Sequence, residues 1–248
     1  MSDGSAPDDD RPTIVFLHGT VLTGAAWGAQ IAGLQDAFHC LAPDLPGHGT
    51  ASAERFTLDH AAAGVAALIE RQARDGRAIL VGLSLGGYVA MEVAARWPER
   101  VRGLVLSGAS ADPVGLQGLG FRAFAAILGL VPEPLLDGVY RSVFRFRFPA
   151  AIAAPILAAG FTFRSTVPAL EALIGRRFRP RLAAYPGPSL LVNGEFDLFF
   201  RSTERAFAVA AVHPRRVLIR RATHLANLDQ PARFTAAIRA FASLAVES

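Results

Sequence analysis

Apolar positions along this chain fall into short continuous runs separated by longer helical patterns. Thr13-Ile-Val-Phe-Leu17 and Ala78-Ile-Leu-Val81 are runs of four or five apolar or β-branched residues, and Val101 to Ser107 is another. Such runs lack the alternation of a half-solvated strand and predict strands covered on both faces of a parallel sheet. His39 to Pro43, Ser189 to Asn193 and Val217 to Arg220 complete the set. Between them, Gly28 to Leu34, Leu58 to Gln72, a helix ending near Arg96-Trp97-Pro98, Thr203 to Val212 and Pro231 to Leu244 read as helices, the last opened by Pro at its first turn. Strand and helix in alternation predict an α/β fold: a doubly wound, mostly parallel sheet whose site lies at the carboxyl ends of the strands.

The alternation stops at Asp112. From there to Pro188 helical apolar blocks are punctuated by Pro132, Pro134, Pro149, Pro155 and Pro168, with no convincing buried strand. The expected organisation is therefore a tail over 1–12, a core over 13–111 and 189–248, and a helical cap inserted over 112–188.

Two Gly-bearing stretches carry candidate chemistry. The Ala78 strand runs into Gly82-Leu83-Ser84-Leu85-Gly86-Gly87 and directly out into a helix. Gly two residues to either side lets a Ser sit on a sharp strand-to-helix turn, at a helix N-terminus whose free N–H groups favour developing negative charge. A Ser hydroxyl needs a base, and a base needs an orienting group. His224 follows the last strand, at the same sheet edge as Ser84, whereas His213 precedes that strand and belongs to the opposite edge. The turn Asn193-Gly194-Glu195-Phe196-Asp197 supplies the carboxylate. Asp197 is preferred over Glu195, because Gly-x-x-Asp is the spacing that commonly carries this role. An oxyanion would meet two backbone N–H groups, that of Leu85 and that of Thr20 in the loop after the first strand.

Ser84, Asp197 and His224 in that chain order, with His18-Gly19, Gly-Leu-Ser-Leu-Gly-Gly, Asp44-Leu-Pro-Gly-His-Gly and the closing His-Leu-Ala-Asn-Leu-Asp-Gln-Pro, resemble the α/β-hydrolase superfamily from Thr13 to Leu244. The resemblance implies a lidded parallel sheet and a structural hydrogen-bonding role for His18. Members commonly begin with an antiparallel hairpin, for which the first twelve residues leave little room, so a sheet with that hairpin reduced or absent is expected. Ser at the elbow argues against the epoxide-hydrolase and dehalogenase branches, which use Asp there. The expected activity is hydrolysis of a carboxylic ester through an acyl-enzyme. Hydrolysis of an acyl-carrier-protein ester, a thioester or a lactone, a hydroxynitrile-lyase-like reaction and a ligand-binding receptor are the alternatives.

Composition narrows this only slightly. The 248 residues are 52% hydrophobic, and all 25 basic residues are Arg, for a net charge of +4. No basic helix stripe, RNA-binding motif, zinc spacing or cofactor-binding motif accompanies that charge, so nucleic acid, metal and cofactor are not expected. Nine Arg against four acidic residues between Asp112 and Arg181 give the cap a larger excess than the whole chain. That excess raises the possibility of an acidic acyl carrier protein as partner, beside a small-molecule ester as substrate. The acidic N-terminus lacks the pattern of a signal peptide, and the uncharged run Phe148 to Phe163 is short and broken by Pro and Gly, so a cytoplasmic monomer or homodimer with no membrane partner is expected. The single Cys40 is expected to pack as a small hydrophobe on a buried strand, while His48 and His60 are expected in solvent.

Overall fold

A computed structural model describes residues 10–247. The expected tail, 1–12, lies mostly outside these residues. Among the described residues six strands form one sheet in the order β2-β1-β3-β4-β5-β6, every neighbouring pair parallel. They are β1 (Thr13–Leu17), β2 (His39–Leu41), β3 (Ala78–Leu83), β4 (Val101–Ser107), β5 (Pro188–Gly194) and β6 (His213–Ile219). Eleven α-helices accompany them among the described residues: α1 (Gly28–Ala32), α2 (Leu58–Gln72), α3 (Leu85–Arg96), α4 (Gly115–Leu130), α5 (Glu133–Arg147), α6 (Ala150–Ala159), α7 (Thr166–Leu173), α8 (Arg179–Ala183), α9 (Leu198–Ala210), α10 (Ala226–Asp229) and α11 (Pro231–Glu247). No antiparallel hairpin flanks β1 among the described residues, and β2 forms that edge of the sheet.

The continuous apolar runs bury both faces. Along β1, Ile14 and Phe16 face one cluster while Val15 and Leu17 face the other, and in β3 Ile79, Val81 and Leu83 oppose Ala78 and Leu80. One cluster lies under α2 and α3; the other lies under α11 and is anchored by Trp27, whose ring sits 5.2 Å from Phe16 and 6.1 Å from Phe234. Large side chains buried to this degree each contribute roughly 1.5–3 kcal/mol.

Between β4 and β5 the chain is helical from α4 to α8. Its last helix differs in character from the others. Helix α8 packs against α3 and α9, Arg181 pairs with buried Glu92 at 3.2 Å, and Phe178 lies 4.5 Å from Tyr88. The chain thus rejoins the layer over the sheet near Phe178, ahead of the 188 boundary that the Pro pattern suggests. No single helix among the described residues is long and apolar enough to cross a membrane, although α4 and α5, bent by 109°, pass that length and composition test as a pair.

Three details depart from the sequence reading. Strand β6 begins at His213 rather than Val217, because an edge strand needs no apolar alternation; Pro214, Arg215 and Arg216 occupy its exposed start and discourage edge pairing. Cys40 is half-buried, since β2 is also an edge. His48 is fully buried, its ring 5.0 Å from that of His18.

His18 is likewise buried and joins two loops. Its Nε2 accepts a hydrogen bond from the Leu45 N–H at 2.9 Å, so Nδ1 carries the proton and donates to the Gly19 carbonyl at 2.9 Å. Asp44 closes the same corner by accepting from the Gly24 and Thr50 N–H groups, each at 2.8 Å.

Burial, aided by repulsion from His48, lowers the His18 pKa from 6.5 to about 4. The unfolded chain therefore binds a proton between these values that the native chain excludes, so stability is full above pH 6.5 and declines as pH falls toward 4. The loss reaches about 3 kcal/mol, with His48, also lowered by burial, adding in the same direction. Urea denaturation of wild type and His18→Gln at pH 7 and pH 4.5 checks this, and the variant is expected to show the shallower pH dependence.

Candidate active site

Ser84 sits between the last residue of β3 and the first of α3, in a backbone conformation with φ 50° and ψ −115°. For a residue with a Cβ this region carries strain of about 1–3 kcal/mol. It is held because β3 and α3 are buried on either side and because Gly86 lets the new helix press on β1. A Cβ on Gly86 would lie 2.1 Å from the Leu17 carbonyl oxygen. The elbow is thereby locked to the strand that feeds the Thr20 loop.

That loop carries strain of its own. Val21, next to Thr20, has φ 70°, unusual for a β-branched residue, and its carbonyl accepts from the Thr162 N–H at 2.9 Å. Leu85 is the first residue of α3, whose opening N–H groups have no intrahelical acceptor, and none of the described loop and turn hydrogen bonds uses the N–H of Thr20. Gly19 brings the loop to the elbow: the position a Cβ would take there is 3.4 Å from Ser84 Cβ.

Asp197 and His224 come from the ends of β5 and β6 and meet directly, with His224 Nδ1 2.8 Å from Asp197 Oδ2. A carboxylate only accepts, so Nδ1 donates and Nε2 keeps its lone pair. Asp197 is 7% exposed, while the His224 side chain is 36% exposed and stacks at 5.0 Å on Phe200. Glu195, the competing carboxylate, is engaged elsewhere: its Oε2 accepts from the Arg221 N–H at 2.8 Å.

Ser84, Asp197, His224 and Thr20 line one cavity of about 410 Å³. Among the described hydrogen bonds none joins Ser84 Oγ to His224; the imidazole is oriented by Asp197 and the hydroxyl is left uncommitted. Catalytic hydrogen bonds that are long without substrate commonly tighten in its presence. The cavity roof comes from the helices between β4 and β5, with Phe121 and Phe124 from α4, Tyr140 and Phe144 from α5, and Leu170 from α7. No cluster of three or more His, Cys, Asp or Glu suited to a metal occurs among the described residues.

Several supporting residues escaped the sequence reading. Gly108, just beyond β4, has φ +56°, and a Cβ there would lie 2.4 Å from His224 Cε1 and 3.3 Å from Asp197 Oδ2. Its N–H donates to buried Asn193 Oδ1 at 2.8 Å, and Asn193 Nδ2 donates to Glu204 Oε2 at 2.8 Å. The Glu204 carboxylate then pairs with Arg216 at 2.6 Å. On the other side, Asp229 accepts from the Thr223 N–H and hydroxyl, each at 2.7 Å, and pairs with Arg147 at 2.6 Å, which anchors the loop carrying His224. The sequence signals for these residues were a strand-ending Asn193, a Gly directly after Ser107 and the Asp of the closing His-Leu-Ala-Asn-Leu-Asp-Gln-Pro.

The geometry agrees with comparisons to known proteins. The chain is 25% identical over 243 residues to 3-oxoadipate enol-lactonase 2 of Acinetobacter baylyi, covering 93% of this chain and 88% of that one. A shorter match, 40% identical over 101 residues, links 41% of this chain to 38% of a pimeloyl-[acyl-carrier protein] methyl ester esterase of Aromatoleum aromaticum. The chain thus spans 88% of the length of that enol-lactonase but 38% of that esterase, and 35% of an AB hydrolase superfamily protein of Gibberella zeae to which it is 36% identical over 98 residues. Among solved structures, a thermophilic esterase from Thermogutta terrifontis superposes with a TM-score of 0.76 at 27% identity, covering 94% of this chain and 90% of that one. A model of the alpha/beta hydrolase family matches residues 14–237, and with the parallel sheet and the strained elbow it establishes that this chain belongs to the alpha/beta hydrolase family.

Proposed function

We propose that this chain is a serine hydrolase that cleaves a carboxylic ester through an acyl-enzyme on Ser84. The observation that carries this reading is the His224–Asp197 pair, 2.8 Å apart, on the same cavity as an elbow Ser whose hydroxyl takes part in none of the described hydrogen bonds. The esterase and lactonase relatives support hydrolysis of an acyl–oxygen bond in general.

In this mechanism His224 Nε2 takes the Ser84 proton as Oγ attacks the ester carbonyl, while Asp197 stabilises the imidazolium that forms. The Leu85 and Thr20 N–H groups receive the oxyanion, each worth about 3 kcal/mol of barrier. The imidazolium then protonates the departing alcohol, and the neutral imidazole activates a water that releases the acid. Gly108 serves as a positioning residue, since nothing larger fits beside the imidazole edge that faces Asp197.

Ser84→Ala is expected to lower kcat/KM on p-nitrophenyl esters by about 10³-fold or more, and a fluorophosphonate probe is expected to label wild type at Ser84 by peptide mass spectrometry. Full activity in the variant would sink the mechanism. Gly108→Ala is expected to cost about 100-fold in kcat with a smaller change in KM, because its methyl displaces the imidazole while leaving the cavity intact. Steady-state kinetics alongside a thermal melt separates that effect from loss of fold.

A further inference from the structure

The charge distribution around the cavity contrasts with that of the chain. Although all 25 Lys-or-Arg positions of a net-positive protein are Arg, none of the described residues lining the cavity is Arg, and the one imidazole there, His224, is engaged with Asp197. The one lining carboxylate is Asp197, already engaged with His224. Six aromatic side chains line the space: Phe121, Phe124, Tyr140, Phe144, Phe199 and Phe200. Tyr140 contributes the only phenol, and burial pushes its pKa up, so it remains a neutral donor.

Arg residues on and between the helices that build the roof do not supply the missing charge, and Arg145, beside Phe144 on α5, is exposed. Arg147 is held by Asp229 and Thr223 behind the His224 loop. Arg141, next to Tyr140, pairs with Asp137 at 2.6 Å and donates to the Leu157 carbonyl. Arg164 pairs with Glu133 at 3.1 Å. Arg122 is exposed and follows Phe121, which points inward on the buried face of α4.

A carboxylate brought into such a space would lose its hydration, find no cation and face the Asp197 charge. An alkyl or aryl chain would instead meet aromatic faces on most sides. The mouth continues in kind, since Phe124 and Phe199 both line the cavity and remain 42% and 40% exposed. We infer that the acyl group accepted here is uncharged and apolar along its whole length, and that acyl chains ending in a carboxylate are rejected. The inference rests on the serine-hydrolase reading for its chemistry but on the cavity lining for its selectivity.

Two esters of equal chain length test it: p-nitrophenyl hexanoate and mono-p-nitrophenyl adipate, which differ by a terminal methyl against a carboxylate. Wild type is expected to favour the hexanoate by at least about 100-fold in kcat/KM, as for a buried charge without a partner. The methyl p-nitrophenyl diester of adipate should recover most of the loss. Phe124→Arg, which places a cation at the mouth outside the reacting groups, should narrow the ratio at least about tenfold. Binding of the same pair to Ser84→Ala, read by calorimetry, separates selectivity from chemistry. Equal affinity for the two esters, or no measurable affinity for either, overturns the inference. A hundredfold preference in Ser84→Ala with no turnover by wild type would leave the inference standing and bring down the serine-hydrolase reading instead.

Discussion

The close contact of Gly86 with the Leu17 carbonyl is the constraint from which the site follows. It forces α3 hard against β1, and with β3 fully buried it leaves Ser84 only the left-handed conformation at φ 50° in which to make the turn. Strain of a few kcal/mol is tolerable because the flanking elements bury whole faces of Leu, Ile and Val, each side chain worth a comparable amount. The same contact brings the loop after β1 beside the elbow. A hydroxyl and the two expected backbone donors are thus gathered at one point without any side chain needing to reach for it.

Placing the imidazole is a separate problem, and it is solved by buried polar groups. Asn193 fixes Gly108 from below, Glu204 fixes Asn193, and Arg216 neutralises Glu204. Asp229 and Arg147 hold the opposite flank of the His224 loop. Every member has a hydrogen-bond or ionic partner, the condition under which a buried polar network rigidifies a structure rather than weakening it. Arg147 extends from α5, so the helical segment that roofs the cavity is also tied to the loop carrying His224.

The Arg excess between β4 and β5 acquires a different meaning in three dimensions. Arg141, Arg147, Arg164, Arg179 and Arg181 each meet a carboxylate, three of these being intra-segment or junction pairs and two reaching acids elsewhere in the chain. Much of the positive charge is thus spent on holding helices in place. The face turned toward Ser84 and His224 is aromatic, and the segment combines a charged exterior with a cavity face that carries no Arg among the described residues.

Linear patterning was enough to determine the parallel sheet, the elbow at Ser84 and the order in which Ser84, Asp197 and His224 occur, because buried strands and tight turns are short-range demands that leave their mark on adjacent residues. It could not show where β6 begins, since an edge strand need not alternate, nor that His48 is buried, since it stands between Gly47 and Gly49 in a turn with no apolar pattern around it. The point where the chain rejoins the core at Phe178 was hidden by Pro that marks helix ends without saying what those helices pack against. The packing of Gly108 on His224, the partners of Asn193 and the absence of Arg among the described residues of the cavity wall were decided by tertiary structure alone. They depend on distances between residues as much as 85 positions apart, and separation of that kind leaves no pattern along the chain.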